Sequence, residues 1–197
     1  VDEIRAGGGL VLVNEVTTGV GRTGEWFGYQ HYDISPDIVA VGKGIGNGYP
    51  VSITAFAPGV VERLGGEPLK YAQSHQNDPL GAAVAREVIG TIEDERLIER
   101  GRAIAAALSG GLRDIQDRTD RVKEVRSRGL MVGVEMNDDP ASAFTARTHV
   151  ELVRRGYIVG RRPGVNVFRI DPSLTIEREH IEGFLEAFDH ILAGTKR

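Results

Sequence analysis

Ile38-Val39-Ala40-Val41-Gly42-Lys43-Gly44-Ile45-Gly46-Asn47-Gly48-Tyr49-Pro50 is an apolar run that feeds a glycine-rich turn, with a single lysine at the junction. A strand that ends in such a turn presents one amine at the edge of a sheet. On an exposed helix a lysine is only a solvated charge, but at the carboxyl end of a buried strand it can lose its proton and attack a carbonyl. Upstream, Leu10-Val11-Leu12-Val13 lacks polar alternation and reads as a strand buried on both faces of a parallel sheet. Asn14 and Glu15 follow it directly. The roughly two dozen residues between the two runs allow a parallel crossover, which needs about a dozen. Ligands of open parallel sheets bind beyond the carboxyl ends of the strands, so Asn14 and Lys43 face one crevice if their strands are neighbours.

Competing motifs fail on spacing. A P-loop needs glycine six residues before its lysine and a hydroxyl after it, but position 37 is Asp and position 44 is Gly. A dinucleotide fingerprint starting at Gly42 needs a third glycine at position 47, which is Asn. The five histidines have no zinc spacing and there is no cysteine, so neither a metal site nor a disulfide is expected. His31 and His75 read as ordinary hydrogen-bonded or solvated side chains, and Glu15 with Arg22 as an ion pair bracing a loop. A formal charge of −4 carries no basic excess for nucleic acid. No apolar run approaches the ~18 residues that cross a membrane. With 197 residues, 41% of them hydrophobic, the chain can bury a substantial core.

Three segments together resemble the class III aminotransferases of pyridoxal phosphate fold type I. They are Asn14-Glu15-Val16-Thr17-Thr18-Gly19-Val20-Gly21-Arg22-Thr23-Gly24, Ser35-Pro36-Asp37-Ile38-Val39, and Gly42 through Pro50. The resemblance implies an α/β fold: the C-terminal part of a fold type I transferase large domain (residues 1–92, including the start of the interdomain helix), then a small α/β C-terminal domain (93–197). It also implies that Lys43 forms the internal aldimine with pyridoxal 5'-phosphate and moves the proton between the substrate α-carbon and the cofactor. Val16 packs on the pyridine ring in that reading. Ser74, in Gln73-Ser74-His75-Gln76-Asn77-Asp78-Pro79, stands where a threonine hydroxyl reaches the cofactor phosphate of a neighbouring subunit, which implies a homodimer. Arg169, in Val167-Phe168-Arg169-Ile170-Asp171-Pro172, matches an arginine that binds a substrate carboxylate, a group a planar guanidinium holds through two parallel hydrogen bonds.

The chain departs from that pattern at three places. Asn14 stands where the family usually carries an Asp that pairs with the pyridine nitrogen, and a neutral amide cannot supply that charge. Thr17 replaces a Gln near the cofactor's phenolic oxygen. Asp171-Pro172-Ser173 replaces the common Pro-Pro, which leaves the shape of the substrate pocket open. The family's polypeptides also run longer than this chain, and their earlier half supplies the phosphate cup and an aromatic ring over the cofactor. The site is therefore expected to be completed by an N-terminal half, in the same protein or on a separate chain.

Downstream, Asp78-Pro79 opens a helix carrying Leu80, Val84 and Val88, and Leu97, Ile104, Leu108, Leu112 and Ile115 mark a second. Val122–Arg126 and Leu130–Met136 read as strands around a glycine turn, 143–155 as a helix, 157–160 and 166–170 as short strands. Ile181, Phe184, Leu185, Phe188 and Ile191 form the apolar face of a final helix. Val1–Arg5 reads as the tail of a helix.

The resemblance makes ping-pong amino transfer from an amino acid or ω-amine to a 2-oxo acid the leading expectation, in a cytoplasmic setting. A racemase, aminomutase or lyase of the same fold begins with the same proton abstraction. A degenerate non-catalytic subunit keeps the fold without the chemistry.

Overall fold

The computed structural model describes residues 1–63, 65, 72–139 and 143–194. The chain divides into two compact units, Val1–Ile98 and Glu99–Arg197.

The first unit opens with a short helix, α1 (Asp2–Ala6), and a strand, β1 (Leu12–Asn14). Strand β2 (Ile38–Val41) lies parallel to β1, with Asn14 opposite Ala40, and β3 (Ile53–Phe56) pairs antiparallel on the far side of β2. The carboxyl ends of β1 and β2 therefore point the same way, which sets Asn14 beside the strand that delivers Lys43. Burial on both faces, expected for the first strand, is not found: Leu12 is 59% exposed and its neighbours in β1 are at most half-buried. The reason is position, since β1 lies at an edge of the three-stranded sheet and the helices described in this unit leave its outer side uncovered. Helix α2 (Pro58–Arg63) is short, and α3 (Pro79–Asp94) is the long helix of the unit. As the sequence indicated, Asp78 caps α3, its carboxylate accepting from the Leu80 amide at 3.0 Å, with Pro79 in the first turn.

Helix α4 (Leu97–Arg118) begins at the division and runs into the second unit. There β4 (Val122–Arg128) and β5 (Met131–Met136) form a hairpin whose turn uses Gly129 at φ +55°, the conformation glycine adopts without steric cost. Helix α5 (Phe144–Arg154), strands β6 (Gly160–Arg161) and β7 (Val167–Ile170), and helix α6 (Arg178–Gly194) complete it. The sheet order is β4-β5-β7-β6, antiparallel throughout. Alternation along β5 turns Val132, Val134 and Met136 inward. They meet Leu108, Leu112 and Ile115 of α4 and Phe188 of α6 in one core cluster. Phe168 packs edge-on against Phe188 at 6.2 Å, and Phe184 stacks on Phe188 at 5.9 Å.

The strand expected over 157–160 shrinks to the two residues of β6. Tyr157 turns its ring onto Phe184 at 5.6 Å, and the Val159 carbonyl accepts from His149 Nε2 at 2.9 Å. These contacts tie the segment to α6 and α5 before it can pair with β7. The remaining elements of this unit fall where the hydrophobic periodicity put them.

Leu112 has no exposed surface. Leu112→Ala is expected to lower stability by about 2–5 kcal/mol through lost burial and the cavity left behind, read as a shift in the urea unfolding midpoint.

Candidate active site

The backbone of Lys43 sits at φ +47°, a left-handed conformation that costs an L-residue roughly 1–2 kcal/mol. Such a geometry persists only where its surroundings enforce it, and packing closes on the turn from both sides. A Cβ on Gly42 would lie 3.4 Å from Val16, and one on Gly44 would lie 3.2 Å from Val20, so the loop after β1 fits closely against the backbone on either side of Lys43. Val20 is itself left-handed at φ +58°, an outlier for a β-branched residue. On the other side the turn continues into buried Ile45 and Gly46 and meets the start of α3, where Val51 packs within 3.2 Å of the Cβ position of Gly81. Tyr49 donates to Asp78 at 3.4 Å, linking the turn to the residue that caps α3. Desolvation first, and then the Asp78 carboxylate, raises the Tyr49 phenol above its usual pKa, so it stays a donor at neutral pH.

The Lys43 side chain is exposed, and its Nζ donates to Thr17 Oγ1 at 2.7 Å. Asn14 ends β1, with its Oδ1 accepting from the Val16 amide at 3.1 Å. Amine, hydroxyl and carboxamide thus gather where two parallel strands end, with the Val16 side chain against Gly42 between them. Ser74 lies in the exposed turn that leads to Asp78. In the second unit, Arg169 stands on β7 with its side chain half exposed, and its Nε is ion-paired with Asp171.

Glu15 is 3% exposed, and its carboxylate accepts from Thr18 Oγ1 at 2.5 Å, from the Gly28 amide at 2.9 Å and from the Tyr29 amide at 2.8 Å. It therefore ties the loop after β1 to the turn beginning at Gly28 through these hydrogen bonds. Thr23 is held to the same region through its carbonyl, 3.1 Å from His31 Nε2. No group of His, Cys, Asp and Glu among the described residues is arranged to hold a metal ion. No described helix is long and apolar enough to cross a membrane.

Some of these features escaped the sequence reading. The bond from Lys43 to Thr17 crosses 26 positions, and nothing in the order of residues announces it. The pairing of Arg169 with Asp171 was legible, because residues two apart on a strand share a face. The left-handed Val20 has no signature other than the glycines around it.

At the carboxyl edge of two parallel strands the chain thus presents a primary amine bonded to a hydroxyl, a group that can react with a carbonyl compound. The profile of the family described as aminotransferase class III matches residues 4–192, and the chain belongs to that family. It is 32% identical to alanine–glyoxylate aminotransferase 2 of Homo sapiens over 94% of this chain and 37% of that protein. It is also 32% identical to a leucine/methionine racemase of Thermococcus litoralis, over 95% of this chain and 43% of that protein. Among solved structures, a transaminase from the marine bacterium Virgibacillus superposes with a TM-score of 0.91 at 27% identity, covering 98% of this chain and 46% of that one. The fold is that of the C-terminal part of fold type I aminotransferases, and the chain spans less than half the length of these relatives.

Class III aminotransferases are pyridoxal phosphate enzymes. The donor set here fits that group: a primary amine to meet its aldehyde, an apolar Val16 surface for its ring, and the Thr17 hydroxyl and Asn14 amide for its polar substituents.

Glu15→Ala leaves the Gly28 and Tyr29 amides without their acceptor, and each buried donor stranded in this way costs about 1–3 kcal/mol. Thermal unfolding is expected to show a clear loss of stability for this variant, with partial recovery in Glu15→Gln.

Proposed function

We propose that this chain forms the Lys43-bearing part of a pyridoxal phosphate-dependent aminotransferase that moves an amino group from an amino acid or ω-amine to a 2-oxo acid. The observation that carries this reading is the Lys43 amine, 2.7 Å from the Thr17 hydroxyl, beyond the end of β2. Bound pyridoxal phosphate supplies an aldehyde and an electron-withdrawing ring. Lys43 Nζ would hold the cofactor and, as a free amine, would carry the proton to and from the substrate α-carbon. Thr17 keeps that amine directed at the crevice by accepting from it. Val16 backs the ring. Ser74 offers its hydroxyl to the phosphate of a neighbouring subunit's cofactor, and Arg169 binds the substrate carboxylate. Residues 1–92 are the C-terminal part of the large domain, including the start of the interdomain helix, and 93–197 are the small domain.

The exposed apolar side chains Leu12, Ile53 and Phe56 support a working particle with more polypeptide than this sequence, contributed by an N-terminal half. We take that particle to be a cytoplasmic homodimer. Sedimentation of the assembled enzyme tests the dimer, and imaging of a tagged full-length protein tests its compartment.

Racemisation is a second reading, supported by two observations: Asn14 offers no charge to the ring, and the Thermococcus litoralis relative is named a racemase. With amino donor alone, accumulation of pyridoxamine phosphate is expected for amino transfer. Inversion at the α-carbon without that product would replace it.

Lys43→Ala in the assembled enzyme is expected to abolish the visible absorbance of the bound cofactor and amino transfer with it. A visible band that survives this substitution would place the covalent link elsewhere. Arg169→Gln is expected to raise KM for the 2-oxo acid about ten- to a hundredfold, the scale of lost charge-assisted hydrogen bonds, with a smaller effect on kcat.

A further inference from the structure

We propose that Asn14 serves the cofactor ring as a neutral hydrogen-bond donor and so keeps the ring nitrogen unprotonated in the resting enzyme. This rests on the reading of Lys43 as the residue that carries pyridoxal phosphate.

Position is the first part of the argument. Asn14 is the last residue of β1 and pairs in register with Ala40, three residues before Lys43 on the adjacent parallel strand. Neighbouring strands lie about 4.8 Å apart, so the carboxyl ends of β1 and β2 open on one crevice. The 2.7 Å bond to Thr17 draws the Lys43 amine toward the loop that follows β1. Val16, against Gly42, supplies the apolar surface between the two ends. A ring held by that amine would have Val16 and Asn14 as its neighbours.

The second part is the identity of the atom that Asn14 can offer. Its Oδ1 already accepts from the Val16 amide at 3.1 Å, which fixes the orientation of the carboxamide. The Nδ2 hydrogens have no acceptor among the described residues. A carboxamide held this way offers the ring its free N–H first, because its one oxygen is already engaged by Val16 and carries no charge. An unprotonated ring nitrogen would accept that bond, whereas a protonated one would find only the second lone pair of an engaged, neutral oxygen and no negative charge to hold its proton.

Capping the loop does not explain the amide. An aspartate would accept equally well from the Val16 amide and would have a second oxygen left for a ring N–H, in a charge-assisted bond roughly twice as strong as a neutral one. What asparagine changes is the charge and the direction of the remaining hydrogen bond. The ring then withdraws electrons less strongly, and proton removal from the substrate α-carbon slows.

The experiment loads the assembled enzyme with pyridoxal phosphate labelled with nitrogen-15 in the ring and records its nitrogen resonance at neutral pH, for the unaltered enzyme and for Asn14→Asp. The expected result is an unprotonated pyridine resonance in the former and a protonated one in the latter. Asn14→Asp should also speed the donor-only half-reaction about tenfold, a barrier change of about 1.4 kcal/mol. A protonated ring in the unaltered enzyme, with its visible band still dependent on Lys43, overturns this inference and leaves the function standing. A ring resonance that Asn14→Asp leaves unmoved also overturns it. Failure of Lys43 to bind the cofactor at all overturns both. Because aspartate keeps the acceptor for the Val16 amide, the variant retains the loop cap, and its thermal unfolding is expected to match that of the unaltered protein.

Discussion

Lys43 is held in a backbone conformation that L-residues avoid, and the first unit is arranged around keeping it there. Val20 crowds the Cβ position of Gly44 at 3.2 Å, and Val16 lies in ordinary contact with that of Gly42 at 3.4 Å. Glu15 fastens the loop that bears both valines by accepting from a hydroxyl and two backbone amides, and α3 supports the turn from the other side through Val51 and the Tyr49–Asp78 bond. The local cost of one left-handed lysine is thus spread over a loop, a turn and a helix cap. In return the amine projects from a rigid seat, which a lysine on a flexible loop would lack.

What could be read from the sequence followed from how local each feature is. The strand before Lys43, the cap at Asp78, the glycine turn at 129 and the apolar face of α6 are written within a few neighbouring residues, and the structure has them. The exposure of β1 is different: Leu10-Val11-Leu12-Val13 records that the strand is meant to be covered, but the covering layer is not specified by those four residues. The strand expected over 157–160 is shorter in the structure because tertiary contacts made by Tyr157 and Val159 outweigh local strand preference.

The same division holds at the site. Lys43, Asn14, Thr17 and Val16 stand out as residue types at the ends of apolar runs, and the resemblance to a family gave each a role. Their mutual geometry is a long-range property. That Thr17 meets the amine across 26 positions is such a property, whereas the bonds from Asn14 to Val16 and from Arg169 to Asp171 join residues two apart. Each describes the electrostatics of this protein in particular, beyond what membership of a family conveys.

The three-stranded sheet has β1 at one rim and β3 at the other, with Leu12 open to water on the first and Ile53 and Phe56 on the second. Rims of this kind are templates for further strand pairing, and apolar side chains along them favour self-association. Prepared in isolation at high concentration, this polypeptide would aggregate through the sheet that carries its chemistry and not through the second unit, whose aromatic core is enclosed.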